Sequence, residues 1–137
     1  MTKTWILEAR FSAAHFYAQE KWTPEQNEQT FGRCCTPYGH GHNYRVQAEW
    51  KIERDHDLET LRASFLKIVD QFDHRHLNFD FKEFQDQVPT TEVIAQVLAQ
   101  KLQRGTFVPL SRLVLYEDQD IGAIWETAFD LPFNRGS

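Results

Sequence analysis

Several features of a nucleic-acid or membrane binder are missing from this sequence. It has no Lys/Arg run, its formal net charge is −5, and no apolar stretch is long enough to cross a bilayer. The opening residues, Met1 to Arg10, lack the apolar core of a signal peptide. Cysteine is scarce. Cys34 and Cys35 are the only two, and adjacent thiols cannot close a loop as an ordinary disulfide staple. A cytoplasmic protein in a reducing compartment is the expectation, and there a Cys more often serves chemistry or metal binding. Repeats, linkers and low-complexity tracts are also missing, so the 137 residues are expected to form a single domain, 1–137. A chain of that length buries roughly 68% of its unfolded surface and needs no staple to fold.

Aromatic residues are plentiful, with eleven Phe and four Trp, which favours strands and well-filled packing. From residue 4 to 16 the chain alternates, with Trp5, Leu7, Ala9, Phe11, Ala13 and His15 on one parity, the period of a half-buried strand. Residues 17 to 39 show no period and are expected to be a long, structureless site loop. Alternation returns over 40–53, with Tyr44, Val46, Ala48, Trp50 and Ile52 facing one way and His40 and His42 continuing that parity backwards. Leu58, Leu61, Phe65, Ile68 and Phe72 then follow helical spacing, capped by Asp55 or Asp57. A second helix is expected after Pro89, with Thr90 as N-cap and Gly105 as stop. Two further strands are expected over 111–117 and 121–131. The order ββααββ predicts an α+β fold, an antiparallel four-stranded sheet with two helices on one face. Its two edges stay open, and edge-to-edge association into a closed ring would cover them.

The stretch from Phe31 to Tyr44 holds both cysteines, two of the six histidines and three of the six glycines. Residues i and i+2 of a strand point the same way about 7 Å apart, so His40 and His42 can share an ion, with His15 on a neighbouring strand as third ligand. The plain alternative is three partly buried histidines satisfied by backbone groups. Cys34 or Cys35 is either a small buried residue or a thiol activated by a nearby imidazole. Asp73 beside His74 fits a carboxylate that orients such an imidazole, or a pair that merely closes a helix. Glu117, on the apolar parity of its strand, is a satisfied buried group, the strand's wet end, or a binder of a guanidine-like ring edge through two parallel hydrogen bonds.

Five runs together resemble one family: Phe11-Ser12-Ala13-Ala14-His15, Gly32-Arg33-Cys34 through Tyr44, Asp73-His74-Arg75 with Leu77-Asn78, Pro89-Thr90-Thr91-Glu92, and Tyr116-Glu117. In that order they resemble the 6-pyruvoyltetrahydropterin synthase and 6-carboxytetrahydropterin synthase family. The resemblance implies a tunnelling fold that oligomerises into a β-barrel, a homo-hexamer built as a dimer of trimers, with sites at subunit interfaces. It implies zinc on His15, His40 and His42, with Cys34 as catalytic thiol and Asp73 and His74 as its activating pair. Glu117 would anchor a pterin, with Thr90, Thr91 and Glu92 near the substrate, 7,8-dihydroneopterin triphosphate. Arg33, Arg75 and Lys21 are the candidates to grip its phosphates.

The expected activity is a zinc-dependent lyase giving 6-carboxytetrahydropterin, acetaldehyde and triphosphate, on the queuosine route. The alternative is 6-pyruvoyltetrahydropterin synthase. Further readings are a zinc hydratase or hydrolase that works without a thiol, and a non-catalytic pterin or metal binder.

Overall fold

The computed structural model describes residues 3–18, 21–35 and 38–127, with Cys34 and Cys35 given by their backbone alone. Strands β1 (Lys3–His15) and β2 (His40–Ile52), of 13 residues each, form its centre. They pair antiparallel without a break, Lys3 facing Ile52 at one end and His15 facing His40 at the other. The alternation read from the sequence decides the faces. Phe11, Ala13 and His15 of β1 and Tyr44, Val46, Ala48, Trp50 and Ile52 of β2 are buried, and the intervening residues lie on the opposite, wetter face.

Between these strands the chain is helical where a structureless loop was expected. Helix α1 (Pro24–Phe31) starts at a capping box, and Gly32–Cys35 forms a 3-10 turn after it. The Thr23 hydroxyl accepts from the Gln26 amide at 3.2 Å, and the Gln26 side chain accepts from the Thr23 amide at 2.9 Å. Helix α2 (Leu58–Asp70) is capped by Asp57 and buries Leu61, Phe65 and Val69. Strand β3 (Arg75–His76), helix α3 (Leu77–Asp80), helix α4 (Thr91–Gly105), strand β4 (Leu110–Tyr116) and strand β5 (Gly122–Glu126) complete the order. Thr90 caps α4 as expected.

The sheet has five strands, in the order β3-β1-β2-β4-β5, so the expected four-stranded sheet is corrected. The added strand is two residues long and pairs parallel with Ala13 and Ala14. The expected pair of helices also gains α1 and α3. The last strand ends at Glu126, and the part of the expected 121–131 strand from residue 128 lies outside the described residues. Trp50 and Phe65 meet edge to face at 5.6 Å, and Phe11 stacks on Tyr44 at 4.9 Å. Burying each such side chain contributes about 1.5–3 kcal/mol. Among the described residues no helix is long and apolar enough to cross a membrane.

Candidate metal centre

The inward parity of β1 and β2 ends in imidazoles. His15 stands directly opposite His40, while His42 stands opposite Ala13, and Gly41 opposite Ala14. Ala13, small and on the same face across from His42, leaves space beside the rings. Gly39 opens β2 with φ of 75°, and a Cβ there would run into the His15 carbonyl. The backbone entering the His-Gly-His run is therefore pressed against the strand that carries the third histidine.

His15 is fully buried. Its Nδ1 lies 2.9 Å from the carbonyl of Pro89. A carbonyl only accepts, so Nδ1 carries the proton and donates it. Nε2 is left as a lone pair aimed at His40 Nε2, 3.1 Å away. Burial pushes the His15 pKa down to about 4, against a smaller opposing effect of the Pro89 carbonyl. Burial likewise lowers His40, with His42 adding to the effect. Both rings are thus held neutral, the form that binds metal. Above them, burial raises the pKa of the Tyr44 hydroxyl, which lies 3.5 Å from His15 Nδ1.

Glu117 joins the three rings from beyond the end of β4. Its Oε1 lies 2.9 Å from His42 Nε2 and 3.5 Å from His15 Nε2, and Thr91 donates to its Oε2 at 3.0 Å. His42 Nε2 is nevertheless buried without a hydrogen-bond partner among the described residues. The 2.9 Å approach is close in distance but off the direction that a ring N–H bond requires. The four donor atoms of His15, His40, His42 and Glu117 all lie within 4.8 Å of one another. A tetrahedral ion with bonds of about 2.0–2.1 Å spaces its ligands roughly 3.3 Å apart, so the set fits a divalent cation of the imidazole-preferring kind. The orphaned His42 nitrogen and the Pro89-fixed tautomer of His15 point to the same use.

The remaining candidates are distributed around this cluster. Asp73 and His74 follow α2 on the outer side of β1. The Ser12 amide donates to Asp73 at 2.8 Å, and the His74 amide donates to the Ser12 carbonyl at 2.6 Å. The Ser12 amide is the largest cause holding the Asp73 carboxyl below its usual range, with His74 adding to it. His74 Nδ1 is 2.9 Å from Asp73, its backbone has φ of 59°, and its ring is 83% exposed. His74 of the pair and His42 of the cluster line one cleft of about 470 Å³, with Ser12, Gly41, Asn43 and Arg75 among others. A second cleft, of about 620 Å³, is lined on the far side of His42 by Arg10, Arg45, Tyr116, Glu117 and Asp118.

Of the expected substrate residues, Thr91 and Glu117 meet, the Thr90 hydroxyl caps α4 on the Val93 amide, and Glu92 is exposed in the first turn. The side chains of Cys34 and Cys35 lie outside the described residues. Of the candidate phosphate-gripping residues, Arg75 lines the first cleft, and Arg33 and Lys21 are exposed. Sequence reasoning missed Pro89, whose contribution is a backbone carbonyl, and the second-cleft arginines, which read as ordinary polar positions of strands.

Comparison with known proteins gives a consistent result. A family model described as 6-pyruvoyl tetrahydropterin synthase matches residues 5–128. The chain is 35% identical over 115 residues to the 6-pyruvoyl tetrahydrobiopterin synthase of Pongo abelii, covering 78% of this chain and 79% of that protein. It is 35% identical over 101 residues to the Homo sapiens protein of that name, covering 69% of this chain and 70% of that one. Among solved structures, Caenorhabditis elegans 6-pyruvoyl tetrahydropterin synthase matches with a TM-score of 0.86 and 29% identity, over 93% of this chain and 97% of that one.

Proposed function

The chain belongs to the 6-pyruvoyl tetrahydropterin synthase family, and from that premise we propose that it is a zinc-dependent lyase that eliminates triphosphate from 7,8-dihydroneopterin triphosphate to give 6-pyruvoyltetrahydropterin. The observation that carries the proposal is the convergence of His15, His40, His42 and Glu117 on one point beside a cleft that also receives His74. The relatives' names favour this product over the 6-carboxytetrahydropterin expected from the sequence.

In this reading His15, His40 and His42 hold the zinc, and Pro89 fixes the tautomer of His15. When bound, zinc polarises side-chain hydroxyls as a Lewis acid and so acidifies the neighbouring proton. Cys34 as thiolate takes that proton. His74, oriented by Asp73, exchanges protons with the thiol, and acid–base work of this kind contributes typically ~10²–10⁴-fold. The exposed ring of His74 suits a partner contributed by a neighbouring subunit of a hexamer. Glu117, steadied by Thr91, receives the amino-pyrimidine edge of the pterin through two parallel hydrogen bonds. Thr90 and Glu92 flank that position at the start of α4.

The test is a product assay. Zinc-loaded protein is incubated without oxygen with 7,8-dihydroneopterin triphosphate, and the pterin product, triphosphate and acetaldehyde are followed. Triphosphate and a 6-pyruvoyl pterin without acetaldehyde are expected. Acetaldehyde with a 6-carboxy pterin would replace this reading by the carboxy synthase, and unchanged substrate would leave only a pterin or metal binder.

A further inference from the structure

Glu117 has two tasks that cannot be performed at once. As the pterin's anchor it needs both carboxylate oxygens for two parallel N–H donors. Yet its Oε1 lies 2.9 Å from His42 Nε2 and 3.5 Å from His15 Nε2, inside the group of four donor atoms. We propose that Glu117 is a fourth ligand of the metal at rest and leaves it to bind the pterin ring, so that ring recognition opens the metal's working position. The inference rests on the pterin reading above.

Three observations carry it. His42 Nε2 is buried and has no directed hydrogen-bond partner among the described residues, so the carboxylate oxygen 2.9 Å away meets this nitrogen without an N–H bond between them. Thr91 holds Oε2 at 3.0 Å, which leaves Oε1 to face the imidazoles. The Glu117 amide donates to the Ile121 carbonyl at 3.0 Å, closing the β4–β5 turn, so the exchange needs a side-chain rotation and no backbone movement. The exchange also has a chemical consequence. Three neutral imidazoles leave a divalent cation its full double charge, and a bound carboxylate removes one unit. Departure of Glu117, with water or a substrate hydroxyl in its place, restores that unit and the polarising power with it. No electron is transferred and no covalent bond is broken. A triphosphate lacking the ring would find the metal closed, which makes Glu117 a specificity-determining residue as well as an anchor.

The experiment uses the full chain with cobalt(II) in place of zinc and pterin itself as the probe, a ring without the hydroxylated side chain. Metal affinity is measured by chelator competition, coordination by the visible cobalt bands, and pterin binding separately by fluorescence. The resting protein is expected to show a four-coordinate spectrum that changes as pterin saturates. Glu117→Gln is expected to lose roughly tenfold or more in cobalt affinity, with bands that no longer respond to pterin. Wild-type affinity and spectrum in Glu117→Gln would overturn the proposal. So would pterin bound to the unmodified chain with unchanged bands.

Should Glu117→Gln fold poorly, Thr91→Val replaces it. That variant keeps the carboxylate but frees Oε2, so cobalt affinity is retained and pterin binds more weakly. Loss of cobalt affinity together with unchanged pterin binding would contradict the proposal. A chain that shows the Glu117-dependent spectrum but never turns over dihydroneopterin triphosphate keeps the ligand assignment and loses the enzymatic reading. Turnover with a Glu117-independent spectrum does the reverse. A chain that binds no pterin at all loses the exchange and the functional reading together.

Discussion

His15 is buried among aromatic rings, its Nδ1 held on the Pro89 carbonyl and its Nε2 left to the cluster. Its pKa, lowered to about 4 mainly by burial, gives the metal-free protein a defined acid sensitivity. An unfolded His titrates near 6.5, so between about pH 6.5 and about pH 4 the unfolded chain binds a proton that the folded chain refuses. Stability is complete above that window and falls as pH drops through it, by ~3 kcal/mol at most from this residue. Urea unfolding of metal-free protein at several pH values checks this, and His15→Phe flattens the dependence. Equal slopes in both proteins would contradict it. The three histidines were legible because strand parity alone aligned them. Glu117 was legible as an inward carboxylate, but not as a fourth donor, because it lies past the last paired residue of β4, where alternation no longer says what a side chain meets. No side-chain pattern announces Pro89, which acts through its backbone.

At the scale of elements, β1 and β2 followed the alternation read for them, and α2 and α4 followed their apolar stripes. Helix α1 did not announce itself that way. Its only buried residue is Asn27, so it has no apolar stripe to read. What starts it is Thr23-Pro24-Glu25-Gln26, a capping box with Pro in the first turn, a local signal that hydrophobic periodicity overlooks. Thr23→Ala is therefore expected to weaken this helix by ~1 kcal/mol. Because α1 has so little buried surface, the loss appears as faster amide exchange over Pro24–Phe31 with little change in global unfolding. A global destabilisation of the same size, with α1 exchange unchanged, would contradict that account. Strand β3 is two residues long, below the length at which any pattern exists. It forms because Asp73 and His74 tie the chain to Ser12 immediately before it.

For the whole molecule, the sheet ends at β5 on one side and at β1, covered only by the short β3, on the other. Ile6 and Ile124 are exposed at 61% and 56%. The ring of subunits implied by the family resemblance would pair those edges, and we propose the hexamer on that ground. Light scattering at micromolar concentration is expected to give six times the chain mass. A monomer that turns over at full rate would contradict both the assembly and the use of His74 across an interface.

We propose the His15, His40, His42 and Glu117 cluster as the metal centre of a triphosphate-eliminating pterin synthase. This assignment is tested most directly by stripping the protein of metal, titrating zinc back, and following triphosphate release from 7,8-dihydroneopterin triphosphate at each step. Release is predicted to be negligible without metal, to rise linearly, and to level off at one zinc per chain, with His42→Ala flat throughout. Release independent of zinc, or none from a chain shown to hold one zinc on these residues, would contradict the account.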